Sequence, residues 1–173
     1  IPDYVGAPAR WNAEAQFVQR IEARVPAGSD ILQLPLHEFP EAGGVKGMGD
    51  YDHLTGYAHS TNLRWSYGSV KGRAGDWTAA AKRMPLNTLL PAAATSGFTG
   101  VWIDNAAYAN EGKAMDARVQ AIVGSSVRPI TSADGRRVFY DLRPLAARVT
   151  SATTPAERRT ISSALVDPTT MDF

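Results

Sequence analysis

The chain of 173 residues contains no cysteine. That absence excludes disulfides, zinc–thiolate sites, iron–sulfur clusters and thiol nucleophiles together. Net charge is nearly absent too: eighteen Lys+Arg against seventeen Asp+Glu leave +1. No overall field therefore draws the molecule to nucleic acid or to an anionic bilayer, and no nucleic-acid partner is expected. The sequence has no basic-then-apolar leader, no methionine at position 1 and no apolar run near the ~20 residues of a membrane span. It is expected to be a soluble piece, internal or C-terminal, of something longer, or a processed protein. No repeat at a period of roughly 20–50 residues and no low-complexity tract is visible. What is present, 44% hydrophobic and 20% charged residues, is the composition of a globular domain, long enough to bury about two-thirds of its unfolded surface around one core.

Residues 1–10, with two prolines and a glycine, read as an irregular lead-in. Phe17, Val18, Ile21 and Val25 then recur at helical spacing, with Asn12 as N-cap and Pro26-Ala-Gly28 as stop, which predicts an amphipathic helix over 12–24. Ile31-Leu-Gln-Leu-Pro-Leu36 is a short apolar run ended by proline, hence a strand. Asp76 is suited to cap a helix over 77–84. Residues 86–95 read as a helix carrying Pro91 and closed by Ser96-Gly97. Residues 100–104 read as a buried strand, and 112–123 as a helix stopped by Gly124. The Asp134-Gly135 turn between 128–130 and 137–142 predicts a β-hairpin. The order predicts an α/β fold: a small mixed β-sheet flanked by helices, one long irregular loop of functional character, and a C-terminal β-hairpin. Residues 1–149 form the expected single soluble domain, and 150–173 a tail with a short docked helix over 155–165.

The long connection between Leu34 and Trp77 carries all three histidines and three of the six tyrosines. It shows little periodicity beyond a helical turn left open within 54–64, and a connection this long in a compact domain is usually functional. His37, Glu38, Glu41, Asp50, Asp52, His53 and His59 supply imidazoles and carboxylates that suit a divalent cation. The stretch lacks His-Glu-x-x-His, and the adjacent Asp52 and His53 would face opposite sides of a strand. No cofactor is expected, a divalent metal being the alternative. Tyr51, Tyr57, Arg64, Trp65, Tyr67, Lys71, Arg73, Asp76 and Trp77 interleave rings with charges. Ring faces stack on sugar C–H groups while Arg and carboxylates fork onto hydroxyls or phosphates. The same rings would equally anchor an irregular loop to the sheet. Ser60 and Ser66 lack a Gly-x-Ser-x-Gly setting, and residues 43–49 lack the Gly-Lys-Ser/Thr ending of a phosphate loop. Asp104 ends the second strand, where ligands of open α/β sheets lie, with Asn105 and Tyr108 beside it. The ligand-binding candidates are Glu38, Asp50, Tyr51, Asp52, His53, Tyr57, His59, Arg64, Trp65, Tyr67, Arg73, Trp77 and Asp104; no catalytic residue is assigned.

Several blocks carry a family likeness in order. They are Ile31-Leu-Gln-Leu-Pro-Leu-His-Glu-Phe-Pro-Glu41, Met48-Gly-Asp-Tyr-Asp-His53, Gly56-Tyr-Ala-His-Ser60, Leu63-Arg-Trp-Ser-Tyr-Gly68 and Lys71-Gly-Arg-Ala-Gly-Asp-Trp77. Gly97-Phe-Thr-Gly-Val-Trp-Ile-Asp104 with Tyr108, Ser132-Ala-Asp-Gly-Arg136 and Phe139-Tyr-Asp-Leu142 continue it, so the likeness spans about residues 17–142. The chain resembles the C-terminal extracytoplasmic domain of multi-pass bacterial membrane proteins of the sugar translocase or C-type (GT-C) glycosyltransferase kind. The resemblance implies a domain on the outer side of the cell membrane whose partners are the transmembrane portion of its own full-length chain and a glycan or polyprenyl-phosphate sugar. It also implies catalytic carboxylates on membrane loops outside this stretch, so the domain is expected to be inactive alone. The expected function is to bind or position a glycan or lipid-linked sugar. The alternatives are a hydrolase or metal-dependent enzyme using His53 with Asp50 or Asp52, and a purely structural domain in which the polar cluster is an internal hydrogen-bond network.

Overall fold

The computed structural model describes residues 6–37, 45, 47–49, 51–68 and 77–165. The described chain is mixed α/β: a five-stranded mixed sheet flanked by helices. The first helix, α1 (Ala7–Glu22), starts five residues before the expected Asn12 cap. Pro8 sits in its first turn, where a missing N–H leaves no bond unmade, so the lead-in over 7–10 is helical rather than irregular. Strand β1 (Asp30–Leu34) stops before Pro35. The long connection holds α2 (Leu54–His59), in the stretch where the sequence leaves a helical turn open, and the two-residue strand β2 (Arg64–Trp65).

Helix α3 (Trp77–Ala81) is shorter than the 77–84 expected, the chain turning at Lys82 and Arg83; its expected cap Asp76 lies outside the described residues. Helix α4 (Leu86–Thr95) and strand β3 (Phe98–Asp104) follow. Helix α5 (Lys113–Val123) ends at Gly124, whose φ of 99° suits a glycine. Strands β4 (Ile130–Thr131) and β5 (Arg137–Asp141) form the expected hairpin. Helix α6 (Arg143–Ala152), which the sequence reading does not anticipate, runs across position 149, and α7 (Pro155–Ser163) begins with a Thr154–Glu157 capping box.

The sheet order is β2-β1-β3-β5-β4, with β1 parallel to β2 and β3, and β5 antiparallel to β3 and β4. Alternation along the three inner strands sorts side chains onto two faces. Leu32, Leu34, Val101, Ile103, Val138 and Tyr140 face α4, α5 and α6, with Ile161 of α7 and Leu165 closing that core. Ile31, Trp102 and Phe139 face the other way, against Phe17, Val18 and Ile21 of α1. Trp102 is fully buried there, tilted against Phe17 at 4.9 Å and edge-on to Trp65 at 5.3 Å. Gly100 lies where the Phe139 ring crosses β3, and a side chain there would overlap the ring. Both cores leave the C-terminal end of β3 at the molecular edge, beside the start of α5 and the hairpin turn. No helix of the described residues is long and apolar enough to cross a membrane.

Candidate functional site

Asp104 ends β3 with 1% of its surface exposed, and its Oδ1 accepts from the Ala106 N–H at 3.1 Å. A buried carboxylate needs a cation, and Arg136, delivered by the hairpin turn, supplies it. Arg136 Nε donates to Oδ1 at 2.8 Å and Nη2 to Oδ2 at 2.8 Å. The same Nη2 donates to Asp52 Oδ2, which also accepts from the Gly49 N–H at 2.9 Å. Burial is the largest single influence on Asp52 and works against its charge, but the Arg136 hydrogen bond, the Gly49 N–H and the charges of Arg136 and Arg137 together outweigh it and hold that carboxyl below its usual range. Burial likewise opposes the Arg136 charge, and bonds to Asp104 and Asp52 overcome it, raising that guanidinium's pKa.

Arg137 forms a second tier. Its Nη1 donates to Glu14 Oε1 at 2.8 Å, its Nε lies 3.8 Å from Asp104 Oδ2, and its guanidinium sits 5.8 Å over the Trp102 ring. Glu14 also approaches His59 Nε2 at 3.6 Å, and the Trp11 ring lies tilted by 60° against the His59 ring with centroids 4.0 Å apart. His53 is buried, and its Nε2 donates to the Pro35 carbonyl at 2.8 Å. Burial depresses its pKa, opposed by the Pro35 bond and by Asp104 and Asp52, while His37 adds to the depression.

Asp52, His53 and Asp104 therefore come together, around an arginine that residue type alone did not single out. A second group is aromatic. Trp65 and Tyr67 are 7% and 5% exposed; Tyr57 donates its hydroxyl to the Trp65 carbonyl at 2.7 Å and to the Tyr67 carbonyl. Gln33 fastens this group to the sheet, its Nε2 donating to the His53 carbonyl at 2.8 Å and its Oε1 accepting from the Tyr67 N–H at 3.1 Å. These rings fill the wall between β2 and α2. Tyr51 is exposed. Arg64 forks onto Asp30 at the opposite end of β1, with both bonds at 2.7 Å. Trp77 leans on Phe98 at 5.7 Å, in the core on the other face of the sheet. Glu38, Asp50 and Arg73 lie outside the described residues. Ser60 donates to Glu22 and Ser66 accepts from the Gln33 N–H, so both hydroxyls serve the fold.

Beyond Arg136 a pocket of about 530 Å³ opens between the end of β3, the start of α5 and the hairpin. That is within the roughly 300–1,000 Å³ of small-ligand sites. Asn105, Asp116, Asp134 and Arg136 line it with Val138 and Tyr140, and Glu111 and Lys113 stand at the start of α5. Asn105 Nδ2 donates to Asp116 Oδ2 at 2.8 Å, tying β3 to α5. Burial raises the Asp116 carboxyl, only partly offset by that bond, and burial with the Asp116 charge pushes Tyr140 up to about 12. Glu111 and Lys113 line the pocket without an ion pair or side-chain hydrogen bond among the described residues. Asn110, Glu111 and Gly112 are all left-handed, with φ of 52°, 54° and 71°. A side chain at Gly112 would overlap Asn105, so this turn and the Asn105–Asp116 bond fit only around a glycine.

No family model, no curated protein and no solved structure matches the chain. Of the pocket residues, Asn105 beside Asp104, the Asp134-Gly135 turn with Arg136, and Tyr140 fall in stretches that the sequence singles out, whereas Glu111, Lys113 and Asp116 carry no motif. The available signal was positional: Asn110-Glu-Gly112 just before a helix, and Asp134-Gly-Arg136 in a hairpin returning toward Asp104. Among the described residues no three His, Asp or Glu side chains are grouped to hold a metal ion.

Proposed function

We propose that this domain binds and positions a sugar for a membrane-embedded sugar-transferring protein of which it is the extracytoplasmic domain. The ligand is a glycan or the sugar head group of a polyprenyl-phosphate carrier, and the bond-making groups belong to the transmembrane portion of the same chain. The observation that carries the reading is the pocket at the C-terminal end of β3, where acceptors and donors surround a partly apolar wall. Hydroxyl-rich ligands match such a wall, because each hydroxyl both donates and accepts. Glu111 and Lys113 have charged groups not consumed by the fold, which favours a ligand over internal structure at that point. The site lies where ligands of open α/β sheets bind. The membrane setting rests on the sequence resemblance alone.

A binding rather than catalytic role is supported by how the loop carboxylates are engaged. Asp52 and Asp104 are held by Arg136, and His53 Nε2 is engaged by Pro35 rather than by either acid. Titrating the isotope-labelled domain with monosaccharides, oligosaccharides and short-chain polyprenyl-phosphate sugars tests the reading. Amide shifts should cluster over 105–116 and 129–138. A set of spectra unchanged by every sugar would remove it.

A purely structural role for the polar cluster is the second reading. It is favoured by one observation: Arg136 joins Asp52 and Asp104 across more than fifty positions of chain, as a tie between segments would.

A further inference from the structure

The chain is almost neutral, but its surface is not evenly so. Arg24, Arg128 and Arg143, from three separate segments, lie toward the end of the β3–β5 ladder marked by the Gly100–Asp141 pair, away from the Asp104–Arg137 end that borders the sugar pocket, and a fourth arginine, Arg20, stands next to Arg24. Arg24 and Arg128 line one cleft of about 270 Å³ with Ser126 and Asp141. Arg20 and Arg24 line a neighbouring one of about 240 Å³. Arg143 stands beside the first cleft, its Nη2 donating to the Arg24 carbonyl at 2.8 Å and to the cleft residue Asp141.

The acid in this group does not neutralise it. Both oxygens of Asp141 are engaged by Arg143, Nε at 3.0 Å on Oδ1 and Nη2 at 2.6 Å on Oδ2, so one of four guanidiniums is matched. Arg20 is held in place by the Thr131 carbonyl at 3.0 Å, a neutral acceptor. Arg24 and Arg128 have side chains with no acceptor among the described residues. The bland account is that Arg20 and Arg24 complement the C-terminus of α1, but a helix end carries only about half a negative charge, and Arg128 is not on that helix. Three positive charges thus remain in a patch on a chain whose total is +1, leaving the rest of the molecule net negative.

We propose that this arginine-walled cleft is a binding site for a phosphate group. Planar guanidiniums fork onto phosphate oxygens, and two of them lining one cleft from the turn after α1 and from the lead-in to β4 can grip a single tetrahedral anion from two sides. Arg20 is fixed by the Thr131 carbonyl, and Arg143 by Asp141 and the Arg24 carbonyl, so the surroundings of the cleft are ordered before the anion arrives. The phosphate can come from a lipid head group or from a soluble phosphorylated compound. This site does not depend on the sugar pocket and stands or falls separately.

The test follows the arginine side-chain N–H signals of the whole domain during titration with inorganic phosphate at constant ionic strength, with chloride as the control. A parallel arm measures co-sedimentation with vesicles of phosphatidylcholine alone and of phosphatidylcholine containing phosphatidylglycerol. Saturable shifts at Arg24 and Arg128 are expected with phosphate and not with chloride. An Arg24→Ala/Arg128→Ala double variant should bind phosphate about tenfold or more weakly. Its melting temperature should stay near that of the parent, because the two side chains are exposed and hold nothing in the fold. Co-sedimentation with the anionic vesicles that the double variant loses supports the site and assigns a lipid head group. Saturable phosphate binding without vesicle binding supports it and assigns a soluble ligand. Shifts that rise linearly, that chloride reproduces, or that persist in the double variant overturn it.

Discussion

Asp104 on β3 and Arg136 at the hairpin lie side by side, two nitrogens of the guanidinium each 2.8 Å from one oxygen of the carboxylate. The acid is nearly sealed from solvent while the arginine side chain remains 29% exposed. Removing the arginine therefore strands a buried charge, whereas removing the half-exposed Asp52 partner does not.

Arg136→Ala should destabilise the domain by about 3–5 kcal/mol, the range for breaking a buried pair from one side. Arg137, 3.8 Å from the same oxygen, keeps the loss toward the lower figure. At about 2–4 °C per kcal/mol for a chain of this size, the melting temperature should fall by roughly 10 °C. Asp52→Ala should lose only about 1–2 kcal/mol, its two hydrogen bonds, from Arg136 and the Gly49 N–H, lying at a partly exposed site. Calorimetry on both variants checks the ordering; equal losses would show that burial of Asp104 is not what makes the pair matter.

Acid should weaken the fold in two steps. His53 is buried with a depressed pKa, so the unfolded chain takes up a proton near pH 6.5 that the folded chain refuses. Its contribution is complete above about pH 6.5 and is lost as pH falls below that value. Asp104, Asp52 and His37 face it, the two acids limiting the depression and His37 adding to it. Asp52, depressed by Arg136, contributes stability present above about pH 3.9 and lost below it. Denaturant midpoints between pH 8 and pH 3 should show both steps. His53→Gln should erase the upper one only, and a surviving upper step would point to a different group.

Trp65 is the clearest case of one residue with two sequence meanings. In the structure its ring lies under Gly56, where an added methyl group would come within 2.7 Å of it, and edge-on to Trp102. Trp65→Ala should therefore cost about 3–5 kcal/mol, as for a buried aromatic. Tyr51→Ala, at an exposed ring, should change stability by less than about 0.5 kcal/mol. Urea unfolding distinguishes them. A stable Trp65→Ala domain with impaired sugar binding would return this ring to the ligand.

Local signals carried the fold far. Helix α4 matches its 86–95 pattern, Gly124 stops α5, and Asp134-Gly135 makes its turn, because each is decided by residues within one or two turns of chain. Strands β2 and β4, two residues each, are too short to show a period and exist because β1 and β5 offer them an edge. The lead-in helix was obscured by prolines that a first turn tolerates. In the site, residue type pointed to Asp52 and His53 and the end of a strand pointed to Asp104, but Arg136 meets Asp104 only through the β3–β5 pairing, which no local pattern encodes. Asp116 and Glu111 needed the pocket itself before they meant anything.

Glu111 offers the sharpest test of that pocket, because its backbone and its side chain favour different residues. It holds φ 54° and ψ 35° between Asn110 and Gly112, which are also left-handed. Asparagine and glycine tolerate that region; for other L-residues it costs roughly 1–2 kcal/mol. No hydrogen bond or ion pair of the Glu111 carboxylate among the described residues offsets that cost. Glu111→Gly should thus stabilise the domain by about 1 kcal/mol after the added chain entropy of glycine, raising the melting temperature by about 2–4 °C. If the carboxylate takes ligand hydroxyls, the same variant should bind sugar about tenfold more weakly, the loss of a charge-assisted contact. Thermal melts and sugar titration on one sample read both quantities. Stability gained with affinity unchanged would mean that Glu111 is idle and that the ligand meets other walls of the pocket. Stability lost would mean that the turn is held by something its own torsions do not reveal.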